Sequence, residues 1–133
     1  MKFNSQICTT REQSERLLSL GLKKETADCY LFEYDKEKYK IIAESWLDLI
    51  ADKKYYSQYK DVCFPAWSLD RLREMLNKSG ITISFLERDT SIIVERYGVF
   101  QNVFEIWDNV YDNICDAIEW LIKEGYFNKE SLI

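Results

Sequence analysis

Apolar residues recur along this chain at two spacings, and the switches between them mark out its elements. Leu17, Leu18 and Leu20 make a short stripe at helical spacing. Thr9 or Thr10 can cap its start, because Thr9-Thr10-Arg11-Glu12 and Thr10-Arg11-Glu12-Gln13 both fit the capping-box pattern. Gly21 stands where such a helix ends in the left-handed conformation. Residues 29–34 and 39–43 are aromatic and β-branched on either side of the charged Asp35-Lys36-Glu37-Lys38. That pattern fits a hairpin, and it also fits one continuous amphipathic helix. From 44 to 63 the periodicity weakens. Trp46, Leu47, Leu49 and Ile50 can share a helical face, while Tyr55, Tyr56 and Tyr59 read as an aromatic-rich loop.

The second half is more regular. Pro65 precedes Ser68, a strong cap, and Leu69, Leu72, Met75 and Leu76 then fall on one helical face. Asn77-Lys78-Ser79-Gly80 ends that helix. Ile81, Ile83 and Phe85 alternate with polar residues, as one face of a strand requires. Arg88-Asp89-Thr90 is turn chemistry, Ile92-Ile93-Val94 is a second strand, and residues 103–107 read as a third. Asp108 or Asn109 caps the last helix, whose stripe is Val110, Ile114, Ala117, Ile118, Leu121 and Ile122. Gly125 ends it, followed by the apolar Tyr126-Phe127. With no repeat or linker, these elements predict a single α+β domain over 1–133. Its expected frame is a small antiparallel sheet, a three-strand meander with room for an added hairpin, packed with about three helices.

Composition narrows the chemistry. Among 133 residues there is no histidine, which excludes a Ser–His or Cys–His relay. Cys8, Cys29, Cys63 and Cys115 are widely spaced with no C-x-x-C pair, so they are expected to be reduced, small and apolar rather than zinc ligands. Asp48, Asp52 and Lys54 are the nearest approach to a carboxylate metal site, against which stands the ordinary reading of solvated charges at a helix end. Asp108, Asp112 and Asp116 recur every four residues, with Glu119 beside them, and read as a polar face opposite the apolar stripe. No motif points to a nucleotide, flavin or other cofactor. A net charge of −5 disfavours a nucleic-acid partner. The opening Met1-Lys2-Phe3-Asn4-Ser5-Gln6 lacks an apolar signal core, and no run is long enough to span a bilayer. The expected address is therefore the cytoplasm.

Three stretches carry a resemblance: residues 14–22 followed by Glu25-Thr26-Ala27-Asp28, then Pro65-Ala66-Trp67-Ser68-Leu69 with Leu72 and Leu76, then residues 117–126. In that order they resemble small uncharacterised proteins encoded by phages, prophages and other mobile elements of gut bacteria. The resemblance implies a genomic setting and no activity, and it assigns no site residue.

The feature with functional leverage is the aromatic excess, four Trp, nine Tyr and seven Phe. Trp107 and Trp120 lie beside expected core positions, and Trp67 is placed to staple onto the helix that follows it. Trp46, Tyr55, Tyr56 and Tyr59 fall where the pattern is least regular, and with Trp67 they form a candidate interaction surface over 44–67. The alternative is that these rings pack over the sheet. The expected function is non-catalytic binding of a protein, with self-association included. A small carboxylate-metal hydrolase and an acidic nucleic-acid mimic are the alternatives.

Overall fold

The computed structural model describes residues 6–86 and 90–133, and the turn expected at Arg88-Asp89 lies outside them. The fold is α+β, as expected, but among the described residues it has five helices and two three-stranded sheets rather than one. No helix among the described residues is long and apolar enough to cross a membrane.

Helix α1 (Arg11–Ser19) begins at Thr10. The Thr10 hydroxyl accepts from the Gln13 backbone N–H at 3.2 Å, and the Gln13 side-chain oxygen accepts from the Thr10 N–H at 2.9 Å. α1 buries just Gln13, Ser14 and Leu17, too little apolar surface to hold a short helix in place. Polar side chains dock it instead. Arg16 reaches Asp116 at 2.6 Å and Glu119 at 2.9 Å, and the Gln13 amide donates to Asp112 at 2.8 Å. The acidic row on α5 (Val110–Lys123) is thus not a plain solvated face: three of its carboxylates are the seat of α1.

Strands β1 (Cys29–Asp35) and β2 (Lys38–Ile42) form the hairpin, and the continuous-helix alternative falls. A third antiparallel strand, β3 (Cys63–Ala66), pairs with β1 from the other side. β1 has no clear polar face because both of its faces are covered. Tyr30 and Phe32 point to the main core, while Cys29 and Leu31 join a smaller cluster with Cys8 and Ala66. Pro65 is tolerated in β3 because this strand is an edge, with no ladder bond required on its outer side. The weakly patterned stretch between β2 and β3 folds as two short helices, α2 (Trp46–Ala51) and α3 (Lys53–Tyr59).

Helix α4 (Leu69–Lys78) starts at the Ser68 cap. Here three segments are tied together. The Thr9 N–H donates to the Trp67 carbonyl at 2.9 Å, and the Trp67 N–H returns a bond to the Thr9 hydroxyl at 3.0 Å. The Trp67 indole N–H donates to the Thr26 hydroxyl at 3.0 Å, and the Ser68 N–H donates to Asp28 at 2.8 Å.

The second sheet is the expected meander, β4 (Thr82–Phe85), β5 (Ile92–Arg96) and β6 (Phe100–Phe104), in that order. Its last strand is displaced from the expected 103–107. Gly98, at φ 75°, allows a tight reversal after β5, so pairing resumes at once, with Phe100 opposite Arg96. It stops before Trp107 because the backbone there is taken by the buried Asn113. Asn113 accepts from the Trp107 N–H at 3.0 Å and donates to its carbonyl at 2.9 Å.

One core joins both sheets, with Trp67, Leu72, Leu76, Ile114, Ile118 and Leu121 fully buried. Leu121→Ala is expected to cost roughly 2–5 kcal/mol in urea melts, as other large-to-small core changes do. Glu119→Ala, which leaves Arg16 its bond to Asp116, is expected to stay within about 0.5 kcal/mol.

Candidate functional site

Of the five rings expected to form a surface over 44–67, the two tryptophans are interior. Trp67 is 0% exposed and Trp46 4%, so neither ring is free to meet a partner. The Trp46 ring stands edge-on to Tyr56 at 5.9 Å, and Phe32 stands edge-on to Tyr59 at 5.4 Å. Tyr55 and Tyr59 are tilted together at 4.7 Å, and the Tyr55 hydroxyl hydrogen-bonds Tyr30. Burial holds the Tyr30 hydroxyl above its ordinary pKa. The five candidates are thus brought to one region, with the two tryptophans and the half-buried Tyr55, Tyr56 and Tyr59 all packed into or against the core. The irregular pattern comes from two short helices, each too brief to show a stripe.

The carboxylate candidates also have local duties. The Asp52 side chain accepts from the Tyr55 N–H at 3.2 Å and so caps α3, while Asp48 and Lys54 are exposed. Among the described residues no group of three or more His, Cys, Asp or Glu side chains is placed to hold a metal ion. The row that an acidic mimic would display, Asp112, Asp116 and Glu119, is bonded to α1.

Two other places carry chemistry. The first is a groove of about 720 Å³ between the start of α1 and the β1–β2 hairpin. Arg11, Glu15, Glu37 and Tyr39 stand along it, and Cys8, Leu31 and Ile41 also line it. Arg11 is fixed from three sides: its guanidinium lies 3.8 Å from the Phe64 ring centroid, donates to the Tyr39 hydroxyl at 3.0 Å and pairs with Glu15 at 3.1 Å. Behind this wall Cys8 and Cys29 lie in one small buried cluster, where the Cys8 thiol donates to the Thr9 carbonyl at 3.5 Å and a hydrogen bond from Cys29 reaches the Cys8 sulfur. With Cys29 as donor, the bond lowers the Cys8 thiol below its ordinary pKa and raises that of Cys29. Burial alone pushes Cys63 up, and burial, with the nearby Asp112 and Asp116 adding to it and Arg16 opposing, pushes Cys115 up to about 12. The four cysteines, indistinguishable by spacing, are therefore divided by their surroundings.

The second place is the outer edge of β6. Among the described residues this strand is paired with β5 alone. Along it and its flanks lie Tyr97, Val99, Val103, Ile106 and Trp107, all large, apolar and exposed, with Ile106 at 82% and Val103 at 51%. Trp107 was expected beside the core; its indole N–H instead donates to Asp116 at 2.8 Å, which leaves the ring half outside. On the opposite side Phe100 and Phe104 are half-buried, packed against Trp120 at 5.0 and 6.2 Å.

Trp46→Ala is expected to lower stability by roughly 3–5 kcal/mol, the cost of emptying a buried aromatic site. A denaturant midpoint equal to that of the parent would return this ring to the surface. No family model, curated protein or solved structure matches the chain, so its chemistry rests on its own residues.

Proposed function

We propose that the chain is a non-catalytic binding protein whose contact element is the β6 edge, and that the strand it accepts is β6 of a second copy. The observation that carries this reading is the order of residues around Asn102. Counting outward from it, Phe100 matches Phe104 and Tyr97 matches Trp107, while Gln101 falls against Val103, Val99 against Glu105 and Gly98 against Ile106. A two-fold interface brings each position i against its counterpart j and j against i, so the aromatic pairs 100/104 and 97/107 would meet their own kind across it. Antiparallel pairing centred on Asn102 sets Phe100 opposite Phe104 of the other copy, on the face already lined by Trp120.

The edge also lacks the usual protection. Phe100-Gln101-Asn102-Val103-Phe104 contains no charge and no proline, the devices that normally keep edge strands apart. Main-chain bonds then supply affinity and side chains supply register. A phage or other mobile-element origin, supported by the sequence islands described above, and a cytoplasmic setting belong to the same proposal.

Sedimentation over a range of protein concentrations tests the reading. The parent chain is expected to form a dimer. Gln101→Lys/Val103→Lys, which sets lysines opposite one another, is expected to be monomeric with an unchanged melting temperature. A parent chain that stays monomeric throughout, or a double variant that dimerises equally, overturns it.

A further inference from the structure

We propose that Cys8 and Cys29 are a reversible dithiol–disulfide site, closed by a hydroperoxide and reopened by a thiol reductant. The backbone brings them together. Cys29 lies opposite Ala66 in the β1–β3 ladder, and the next residue, Trp67, holds Thr9 through both its N–H and its carbonyl. Cys8, one residue before Thr9, is thereby fixed beside Cys29, and both belong to one small buried cluster with Leu31 and Ala66. Two side chains in one small cluster, carried on anchored backbones, are placed to bond.

Their surroundings assign the roles. Both residues are buried, Cys8 at 2% and Cys29 at 8% exposure, and Cys8 is the one that lines the groove, so an oxidant held in the groove stands against Cys8. The hydrogen bond from Cys29 favours the thiolate at Cys8, the form that attacks. The Cys8 sulfur attacks the peroxide oxygen, the O–O bond breaks, and an alcohol or water leaves with a proton, so that Cys8 becomes a sulfenic acid. The Cys29 sulfur then attacks that of Cys8, the S–O bond breaks and water departs. The two sulfurs are oxidised, the peroxide is reduced, and both thiol protons end in the products. The bridge ties the segment before α1 covalently to β1. Cys63 and Cys115 lie in the separate main core, away from this pair.

The full reduced chain, treated with hydrogen peroxide, alkylated and digested with trypsin without reductant, tests the proposal. The intact protein is expected to lose the two thiol hydrogens. The Cys8 peptide should appear linked to the Cys29 peptide, Cys63 and Cys115 should be alkylated, and a dithiol reductant should undo the link. In Cys29→Ser, which removes the resolving thiol, dimedone is expected to label Cys8; in Cys8→Ser it is expected to leave Cys29 unlabelled. Four alkylated cysteines after peroxide, or a link that includes Cys63 or Cys115, overturns the site. A label on Cys29 in Cys8→Ser overturns the assignment of roles. Should either variant fail to fold, the peptide map of the parent chain decides alone.

Discussion

Trp67 is the joint on which the rest of the structure depends. Its backbone holds the segment before α1, its indole holds the turn before β1, and its neighbour Ser68 caps α4 while bonded to Asp28. A fully buried ring at this point also fills the centre of the main core. Polar atoms of a residue so deeply buried must be paired, because each unpaired one costs about 1–3 kcal/mol. Those obligations fix where the first sheet, α1 and α4 meet. The groove and the paired cysteines are by-products of this joint, since Thr9 places Cys8.

The two halves of the molecule are held by different physics. α4, α5 and the second sheet share an apolar core of large side chains, the usual source of folding free energy. The first helix is held by hydrogen bonds and ion pairs to α5. β1 buries both faces, one deep in the main core and the other under a thin cover of residues 6–11. That thin cover is where the groove beside Arg11 and Tyr39 opens.

Legibility in the sequence followed the length and one-sidedness of each element. α4 and α5 were plain because Leu72, Leu76, Ile114, Ile118 and Leu121 recur over several turns beside clear caps at Ser68 and Asn109. The meander was plain because Ile83 and Phe85 alternate with polar residues facing water. β3 was hidden by Pro65, which argues against a strand unless the strand is an edge. α2 and α3 were hidden by brevity, and their buried or half-buried rings look in sequence like surplus aromatics. The candidate site was less legible still. A run such as Phe100-Gln101-Asn102-Val103-Phe104 gives no sign that its outer side is unpaired. The meeting of Cys8 with Cys29 is a tertiary contact that spacing does not encode.

The polar docking of α1 makes its attachment answer to ionic strength. Arg16 and its partners are partly exposed, and charges in that position are screened over a Debye length of about 8 Å at physiological salt. Rising salt loosens the hold on α1 and hardly touches the apolar core. α1 is therefore the element whose attachment salt weakens most, while α4, α5 and the second sheet keep their apolar contacts. Its amide protons would exchange early, and in concert, by a route that leaves the main core closed.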